Sequence, residues 1–238
     1  MIKVRAAIFD VYKTILEVGP PPPDRAVRWD ALWRESVGSA PRLSLPAFAA
    51  ACDGVIAREH AAARSTGIAF PEILWPEVVR EVLPEIAAMP EPQQNEFIFR
   101  HTALAHTVRL MPGAGAVLRR LRDRGVVLGI ASNAQPYTLR ELGEALEPAG
   151  LTLDDFAADL RFWSFTHGFS KPDPHGFRLL GARLRLRGIR LSDALMVGDR
   201  QDNDIGPAAA QGWQTWHLHA APVGRGGDWA ALQAWLGD

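Results

Sequence analysis

In the second half of the chain, short apolar runs alternate with segments whose apolar residues recur at helical spacing. Apolar runs of four to eight residues are typical of buried strands, whereas a repeat near 3.6 residues is typical of an amphipathic helix. Strands are predicted at 126–131, 160–165, 194–198 and 213–218, and helices at 114–124, 137–148, 173–186 and 204–211. This alternation predicts an α/β fold, with a parallel sheet and helices on both of its faces.

One more strand-like run, residues 4–10, opens the chain and ends in Asp10. It has no strand-like partner nearby, because residues 25–106 carry apolar residues at helical spacing. We therefore expect this first strand to join the sheet of the second half. A proline tract at 20–23 forms a stiff, extended loop at the start of the helical region. The predicted division is a core of residues 1–16 and 108–238 and an all-helical insertion of residues 17–107.

The composition is that of an ordinary globular protein, and it restricts the classes of partner. Hydrophobic residues make up 47% of the 238 residues, charged residues 22%, and the formal net charge is -1. Such a charge balance disfavours nucleic acid or a membrane surface as a partner. The single cysteine, Cys52, excludes an internal disulfide, so we expect a cytoplasmic protein. The expected partner is a small-molecule substrate, and the polar residues described next predict that it is anionic; no oligomeric state is predicted.

Polar residues follow the predicted strands, where an open parallel sheet binds its ligands. They are Asp10, Ser132, Asn133, Lys171, Asp199 and Asp204. Three carboxylates brought together would repel one another without a cation. Their oxygen atoms suit a hard, octahedral ion such as Mg²⁺. The sequence thus predicts a Mg²⁺ site that includes Asp10, Asp199 and Asp204.

The same residues form a set that can carry out covalent chemistry. A carboxylate beside Mg²⁺ and an ammonium can attack an electrophilic phosphorus or carbon and form an ester. Asp10 is the predicted nucleophile, and Lys171 is predicted to neutralise charge on the nucleophile and the substrate. Ser132, Asn133 and backbone N–H groups are expected to hold the outer oxygens of a phosphoryl group.

The order of these motifs resembles that of the haloacid dehalogenase superfamily. The resemblance rests on Asp10 after the first strand, Ser132-Asn133 after the second, the segment 171–174 (Lys-Pro-Asp-Pro), and a fourth motif at 198–204 (Gly-Asp-x-x-x-x-Asp). It covers the whole chain. It implies a Rossmann-like core and a helical cap, inserted after the first motif, that closes over the site and largely sets substrate choice.

The resemblance also implies particular roles for residues near the nucleophile. Mg²⁺ would be held by Asp10, Asp199, Asp204 and the backbone carbonyl of Tyr12. Thr14 would help to orient the phosphoryl or carboxylate group of the substrate.

The residue two positions after Asp10 departs from the phosphatase pattern. Phosphatases of the superfamily carry a second aspartate there, which protonates the leaving group and later activates water. Here the residue is Tyr12, as in the superfamily's dehalogenases, whose halide leaves without a proton. Dehalogenases also use a cap arginine to receive the halide and carboxylate, and residues 32–34 (Leu-Trp-Arg) lie in the predicted cap. Tyr12 and Arg34 are therefore candidate substrate contacts.

The fourth motif, at residues 198–204, favours a phosphatase over a dehalogenase. Dehalogenases need no metal and carry small polar residues in place of its glycine-aspartate pair, whereas this chain has Gly198-Asp199 and Asp204. Unneutralised carboxylates are unfavourable in a partly buried cleft. The motif therefore favours a Mg²⁺-dependent phosphatase that acts on a small phosphorylated metabolite. A haloacid dehalogenase-like hydrolase and a binding protein with little turnover remain alternative hypotheses.

Lys13 occupies a position at which both subfamilies usually have glycine. Only three of the 26 basic residues are lysines, the others being Lys3 and Lys171. In a functional interpretation, the Lys13 ammonium contacts the leaving group or a second anionic group of the substrate. The alternative is a solvated side chain on the turn. Because an ordinary ammonium holds its proton at neutral pH, charge stabilisation is its expected role.

Overall fold

Six parallel strands form the centre of the protein in a computed structural model that describes residues 4–219 and 226–237. The strands of the chain are β1 (Ala6–Phe9), β2 (Leu16–Gly19), β3 (Thr107–Leu110), β4 (Val127–Ser132), β5 (Phe156–Trp163), β6 (Ala194–Gly198), β7 (Gln214–Leu218) and β8 (Gly226–Gly227). The sheet has the order β5-β4-β1-β6-β7-β8, with parallel pairing throughout. The predicted α/β fold is confirmed, and β1 lies inside the sheet, as expected.

Helices connect and cover these strands. Within the described residues they are α1 (Arg25–Val37), α2 (Leu45–Ser65), α3 (Trp75–Val82), α4 (Pro84–Ala87), α5 (Glu91–Thr102), α6 (Ala114–Asp123), α7 (Pro136–Leu146), α8 (Pro174–Leu186), α9 (Gly206–Ala210) and α10 (Trp229–Leu236). The helices predicted at 114–124, 137–148 and 173–186 correspond closely to α6, α7 and α8. None of the described helices has the length and apolar character needed to cross a bilayer.

The core lies on both faces of the sheet, because successive residues of a strand point in opposite directions. Ala7 and Phe9 pack in one hydrophobic cluster with residues of α6, α7 and α10. Ala6 and Ile8 pack in a second cluster with residues of α8 and α9. All four side chains are fully buried. A strand buried on both faces reads as a continuous apolar run, which explains the sequence pattern at 4–10.

Helices α1–α5 pack around a hydrophobic cluster of their own. Trp29, Phe48 and Phe97 lie within it and are almost fully buried. The chain enters these helices from β2 and leaves them into β3, and the two strands pair in antiparallel register, residues 16–19 against 107–110. This ribbon was not predicted, because its strands are partly exposed and carry no continuous apolar run. It crosses both predicted boundaries of the helical insertion.

Three other elements differ from the predictions. β5 begins at Phe156, ahead of the predicted strand at 160–165, and its pairing with β4 contains an irregularity. The helix predicted at 204–211 is a π-helical turn, Gln201–Ile205, followed by α9. Pro207 lies in the first turn of α9, where its missing N–H is tolerated. α10 was not predicted, since eight mostly apolar residues show no clear helical periodicity.

His101, near the end of α5, is enclosed by aromatic rings. Its ring lies 5.7 Å from that of Trp29, 5.1 Å from that of Phe48 and 6.0 Å from that of Trp75, measured between centroids. Its Nδ1 atom has no hydrogen-bond partner among the described residues. Burial lowers the pKa of His101 from 6.5 to about 4, because an apolar setting favours the uncharged imidazole.

We expect the His101→Phe variant to lose part of the pH dependence of stability. The folded protein binds this proton more weakly than the unfolded chain, so wild-type stability falls as the pH drops from 6.5 towards 4. The pKa difference corresponds to roughly 3 kcal/mol in the free energy of unfolding once both pKa values are passed. Thermal denaturation at neutral and mildly acidic pH measures the effect, and acidification should lower the melting temperature less in His101→Phe than in wild type.

A second variant, His101→Leu, also removes the buried imidazole and should show the same reduced acid-induced loss of stability. An equal acid-induced loss of stability in wild type and His101→Phe would show that His101 is not responsible.

Candidate active site

A polar cavity of about 210 Å³ lies at the carboxyl ends of β1, β4 and β6. Asp10 directly follows β1, Asn133 follows β4 and Asp199 follows β6. The parallel topology therefore brings together residues that are far apart in sequence. Seven predicted site residues line this cavity together with two others; the full lining is Asp10, Tyr12, Lys13, Asn133, Lys171, Asp199, Arg200, Asn203 and Asp204.

Lys171 lies between two carboxylates at the bottom of this site. Its Nζ atom donates to Asp10 Oδ1 at 2.7 Å and to Asp204 Oδ1 at 2.5 Å. Only 3% of its side chain is exposed. Burial by itself disfavours the ammonium, but the two carboxylates outweigh that effect and raise the pKa of Lys171. The site thus holds a buried positive charge against the side chain of Asp10.

The carboxylates of Asp10, Asp199 and Asp204 offer oxygen atoms that lie within 4.8 Å of one another. Burial, and after it the charge of Asp10, raises the pKa of Asp199. Burial likewise raises the pKa of Asp204 to about 6, against the opposing effect of Lys171. One buried ammonium does not balance three carboxylates, and such an excess of charge is unfavourable away from water. This set of hard oxygen ligands therefore fits a cation such as Mg²⁺.

Backbone contacts orient two of these carboxylate residues. The Arg200 N–H group donates to Asp204 Oδ2 at 3.1 Å. A Cβ atom at Gly198 would collide with the Asp204 carboxylate, so glycine is required for their close approach. His217 Nε2 lies 2.9 Å from the backbone oxygen of Asp199, and it must be the donor, since a carbonyl only accepts.

Ser132 and Thr14 are both fully buried beside the site. Ser132 Oγ has no hydrogen-bond partner among the described residues. A buried hydroxyl without a partner is unfavourable, and an oxygen atom of a substrate would satisfy it. Thr14 Oγ1 makes a long contact of 3.4 Å with Asp10 Oδ2. The contacts of Ser132 and Thr14 with a substrate remain predictions.

Asn133 contacts Lys171 through both polar atoms of its side chain. Its Nδ2 donates to the Lys171 carbonyl at 2.9 Å, and its Oδ1 accepts from the Lys171 N–H group at 2.7 Å. The amide thereby positions the backbone of Lys171. This contact differs in kind from the predicted hold on a phosphoryl oxygen, because the strand end and the lysine loop lie close enough to pair directly.

The hydroxyl of Tyr12 is bound by residues of α7. It donates to Glu141 Oε2 at 2.5 Å and lies 2.8 Å from Thr138 Oγ1. Glu141 Oε1 in turn lies 2.9 Å from His106 Nε2. Burial, followed by the charge of Glu141, raises the pKa of Tyr12 well above its ordinary value. The tyrosine therefore borders the cavity while its hydroxyl is bound elsewhere.

Lys13 is exposed at the edge of the site. It has a positive φ of 59°, unlike every other non-glycine residue in the described part of the chain. This conformation is unfavourable by about 1 kcal/mol or more for a residue with a side chain, which explains why the superfamily usually has glycine there. Lys13 also borders a second cavity of about 620 Å³, lined in addition by Met111 and Trp229.

Arg34, by contrast, lies apart from the cavity. It is exposed on α1 and does not belong to the described cavity lining. Trp29, Leu32 and Trp33 are the buried residues of that helix. Helical geometry therefore turns Arg34 away from the hydrophobic cluster and into solvent. The structure does not support the predicted contact of Arg34 with a substrate.

Several residues near the site were not among the predicted site residues. Arg200 and Asn203 line the cavity, and each is adjacent to an aspartate of the fourth motif, which is the one clue to their location. Thr138, Glu141 and His106 were not singled out, because a polar residue on a helix or before a short strand usually faces solvent. Their role depends on a contact with Tyr12, which lies far away in sequence.

Comparison with known proteins links this geometry to one family. The sequence profile of the haloacid dehalogenase-like hydrolases matches residues 4–212. Glyceraldehyde 3-phosphate phosphatase of Pyrococcus abyssi is 35% identical over 117 residues, which are 49% of this chain and 45% of that protein. Phosphoserine phosphatase of Thermus thermophilus is 34% identical over 137 residues, which are 57% of this chain and 50% of that protein. The chain thus spans about half the length of the curated relatives it matches.

A solved structure extends the similarity over the whole fold. The 2-haloacid dehalogenase from Pseudomonas syringae pv. Tomato DC3000 superposes with a TM-score of 0.60 at 21% identity, covering 98% of both chains. Similarity at this level concerns the fold alone. The family profile, in contrast, covers most of the chain, including β1 and all the strand ends that border the cavity. The chain therefore belongs to the haloacid dehalogenase-like hydrolases.

Proposed function

We propose that the chain is a Mg²⁺-dependent phosphatase that acts on a small phosphorylated molecule through Asp10. The observation that carries this proposal is the cluster of Asp10, Asp199 and Asp204 around the buried ammonium of Lys171. The phosphatase names of curated relatives at 34–35% identity support the same reaction class. The three carboxylates and the backbone carbonyl of Tyr12 would hold Mg²⁺, which when bound stabilises charge on a transferred phosphoryl group.

Asp10 is the proposed nucleophile because its two oxygen atoms differ in their contacts. Oδ1 accepts a hydrogen bond from Lys171, whereas within residues 4–219 and 226–237 Oδ2 has only the long contact with Thr14. One oxygen can therefore be held while the other attacks phosphorus. Lys171 would offset negative charge on the nucleophile and on the incoming phosphoryl group. The unpartnered hydroxyl of Ser132 would donate to a phosphoryl oxygen.

We further propose that residues 17–107 form a cap over a core of residues 1–16 and 108–238. The separate hydrophobic cluster of α1–α5 supports this division. The segment before α3 also contacts the core: Glu72 Oε2 accepts from Ser164 Oγ at 2.6 Å, and the Trp75 N–H donates to Gln135 Oε1 at 2.7 Å. Such a cap would limit the size of the substrate and exclude water during the reaction.

A dehalogenase-like hydrolase is the second candidate, and the hydroxyl of Tyr12 favours it. A halide needs no proton on departure, and this hydroxyl is bound by Glu141 instead of facing a leaving group. Two observations count against this candidate. The carboxylate cluster would repel a haloacid's own carboxylate, and Arg34 does not line the cavity. The phosphatase is therefore the better-supported function.

Two release assays, each run with and without Mg²⁺, test this assignment. We expect phosphate release from p-nitrophenyl phosphate, with a loss of at least about 10²-fold when a chelator removes the metal. We expect no chloride release from 2-chloropropionate. Chloride release that survives chelation would instead establish the dehalogenase. No turnover of either substrate would favour a protein that only binds its ligand.

A further inference from the structure

The catalytic cavity contains a nucleophile but offers no side chain suited to protonate a leaving group. Besides Asp10, its described lining consists of two acids next to the proposed cation, three cationic side chains, two amides and one phenol: Asp199, Asp204, Lys13, Lys171, Arg200, Asn133, Asn203 and Tyr12. Amides and guanidinium groups do not give up protons at neutral pH, and an ordinary lysine ammonium does so poorly. Both oxygen atoms of Asp204 accept hydrogen bonds, from Lys171 and from the Arg200 N–H group, and the proposed cation would take up Asp199. The phenol is the remaining candidate.

The hydrogen bonds of Tyr12 remove that candidate. A phenol has one hydrogen, and Tyr12 gives it to Glu141 Oε2 at 2.5 Å. The hydroxyl of Thr138 lies 2.8 Å from the same phenol oxygen. Because Thr138 Oγ1 accepts the Gln135 N–H at 3.1 Å, its own hydrogen is available for Tyr12. Both the donor and an acceptor position of the phenol are therefore occupied on the side of α7.

This arrangement is also shielded from water. Thr138 is fully buried and Glu141 is 7% exposed, so water does not readily replace either partner. Freeing the Tyr12 hydroxyl would leave the Glu141 carboxylate short of a hydrogen bond in a buried place, which is unfavourable.

Lys13 supplies a different form of assistance to a leaving group. Its ammonium borders the cavity and is exposed, next to the Asp10 loop. A positive charge in this position stabilises an anion that departs without receiving a proton. The site therefore combines a missing proton donor with a nearby cation.

We infer, building on the proposed phosphatase function, that the site acts on phosphates whose leaving group departs as a stable anion, such as acyl phosphates and phosphoanhydrides. An Asp10 oxygen bonds to phosphorus while the bond from phosphorus to the leaving oxygen breaks, and that oxygen keeps the electron pair as a carboxylate or phosphate. Water then attacks phosphorus, the bond to Asp10 breaks, and both water hydrogens remain on the phosphate product. Alkyl phosphates, such as the glyceraldehyde 3-phosphate and phosphoserine named for the curated relatives, react poorly because an alkoxide needs a proton.

The test compares acetyl phosphate with glycerol phosphate in the full-length protein with Mg²⁺. We expect kcat/KM to be at least about 10²-fold higher for acetyl phosphate, since a general acid contributes that much or more to the departure of an alkoxide. In Tyr12→Phe, the ratio of the two kcat/KM values should stay within about threefold of wild type, because the phenol donates no proton to the leaving group. The Tyr12→Asp variant places a carboxyl group at this position. The kcat/KM for acetyl phosphate relative to that for glycerol phosphate should then fall by about tenfold or more.

The outcomes separate this inference from the function on which it rests. Similar kcat/KM values for the two substrates would overturn the inference and leave the phosphatase intact. A selective loss of glycerol phosphate hydrolysis in Tyr12→Phe would also overturn it, because the phenol would then be the acid. Phosphate release from neither substrate, nor from p-nitrophenyl phosphate, would overturn the proposed function itself. If Tyr12→Asp does not fold, the comparison of wild type with Tyr12→Phe decides the matter.

Discussion

The Asp10→Asn variant should lose at least about 10⁴-fold in phosphate release, the largest effect expected in this protein. An amide is a poor nucleophile, so it does not form the covalent ester on which the proposed mechanism depends. The substitution also removes the negative charge that Lys171 Nζ contacts at 2.7 Å. Phosphate release from acetyl phosphate, measured with excess Mg²⁺, gives the size of the loss. Quenched wild-type reactions should contain a phosphorylated peptide that includes Asp10, and reactions of the variant should not.

The matched control is Asp53→Asn, an equal chemical change at an exposed position of α2. This variant should retain phosphate release within about twofold of wild type, as surface substitutions usually have small effects. Circular dichroism and thermal denaturation establish that both variants fold. A folded Asp10→Asn protein with the activity of Asp53→Asn would rule out Asp10 as the nucleophile.

The Lys171→Met variant should lose both stability and activity. Methionine has a similar length but no charge, so Asp10 and Asp204 would lose their shared partner at a position where the lysine side chain is 3% exposed. Removing one member of a buried ion pair destabilises a protein by about 3–5 kcal/mol, and losing an electrostatic group next to the reaction lowers turnover by about 10² or more. Urea denaturation and phosphate release measure the two effects.

Mg²⁺ gives this prediction a second test. A bound cation would replace part of the missing positive charge, so Mg²⁺ should stabilise Lys171→Met more than wild type. The matched control is Lys13→Met, which removes an exposed ammonium at the same cavity and should change the free energy of unfolding by only about 0.5 kcal/mol or less. If Lys171→Met were as stable as Lys13→Met, the buried ammonium would not be needed to hold these carboxylates together.

The arrangement of Asp10 and its neighbours could be predicted because it follows from the parallel topology of the sheet. Apolar runs identified β1, β4 and β6, and a buried parallel strand gives the strongest local pattern in an α/β protein. Once the strands are parallel, residues that follow them meet at one edge of the sheet. Asp10, Asn133 and Asp199 line one cavity for this reason. No knowledge of individual contacts was needed to bring them together.

Short elements were less predictable. The two strands of the β2–β3 ribbon are partly exposed and carry no continuous apolar run. The eight-residue helix α10 has too few positions for a helical periodicity to emerge. Their pairing partners are supplied by distant parts of the chain. Residues 16–19, for example, pair with residues 107–110 across the whole helical insertion.

The sequence by itself determined the α/β fold, the central place of the first strand and the set of polar residues at the strand ends, since these depend on local periodicity and chain order. Only the tertiary structure decided where individual side chains point. Tyr12 is turned by Glu141, which is 129 residues away. Such a contact between remote segments leaves no mark on the local sequence pattern. The sequence therefore predicts Asp10 as the nucleophile and indicates that Tyr12 stands in place of the usual proton donor, whereas the binding of the Tyr12 hydroxyl by Thr138 and Glu141 of α7 became clear only from the tertiary structure.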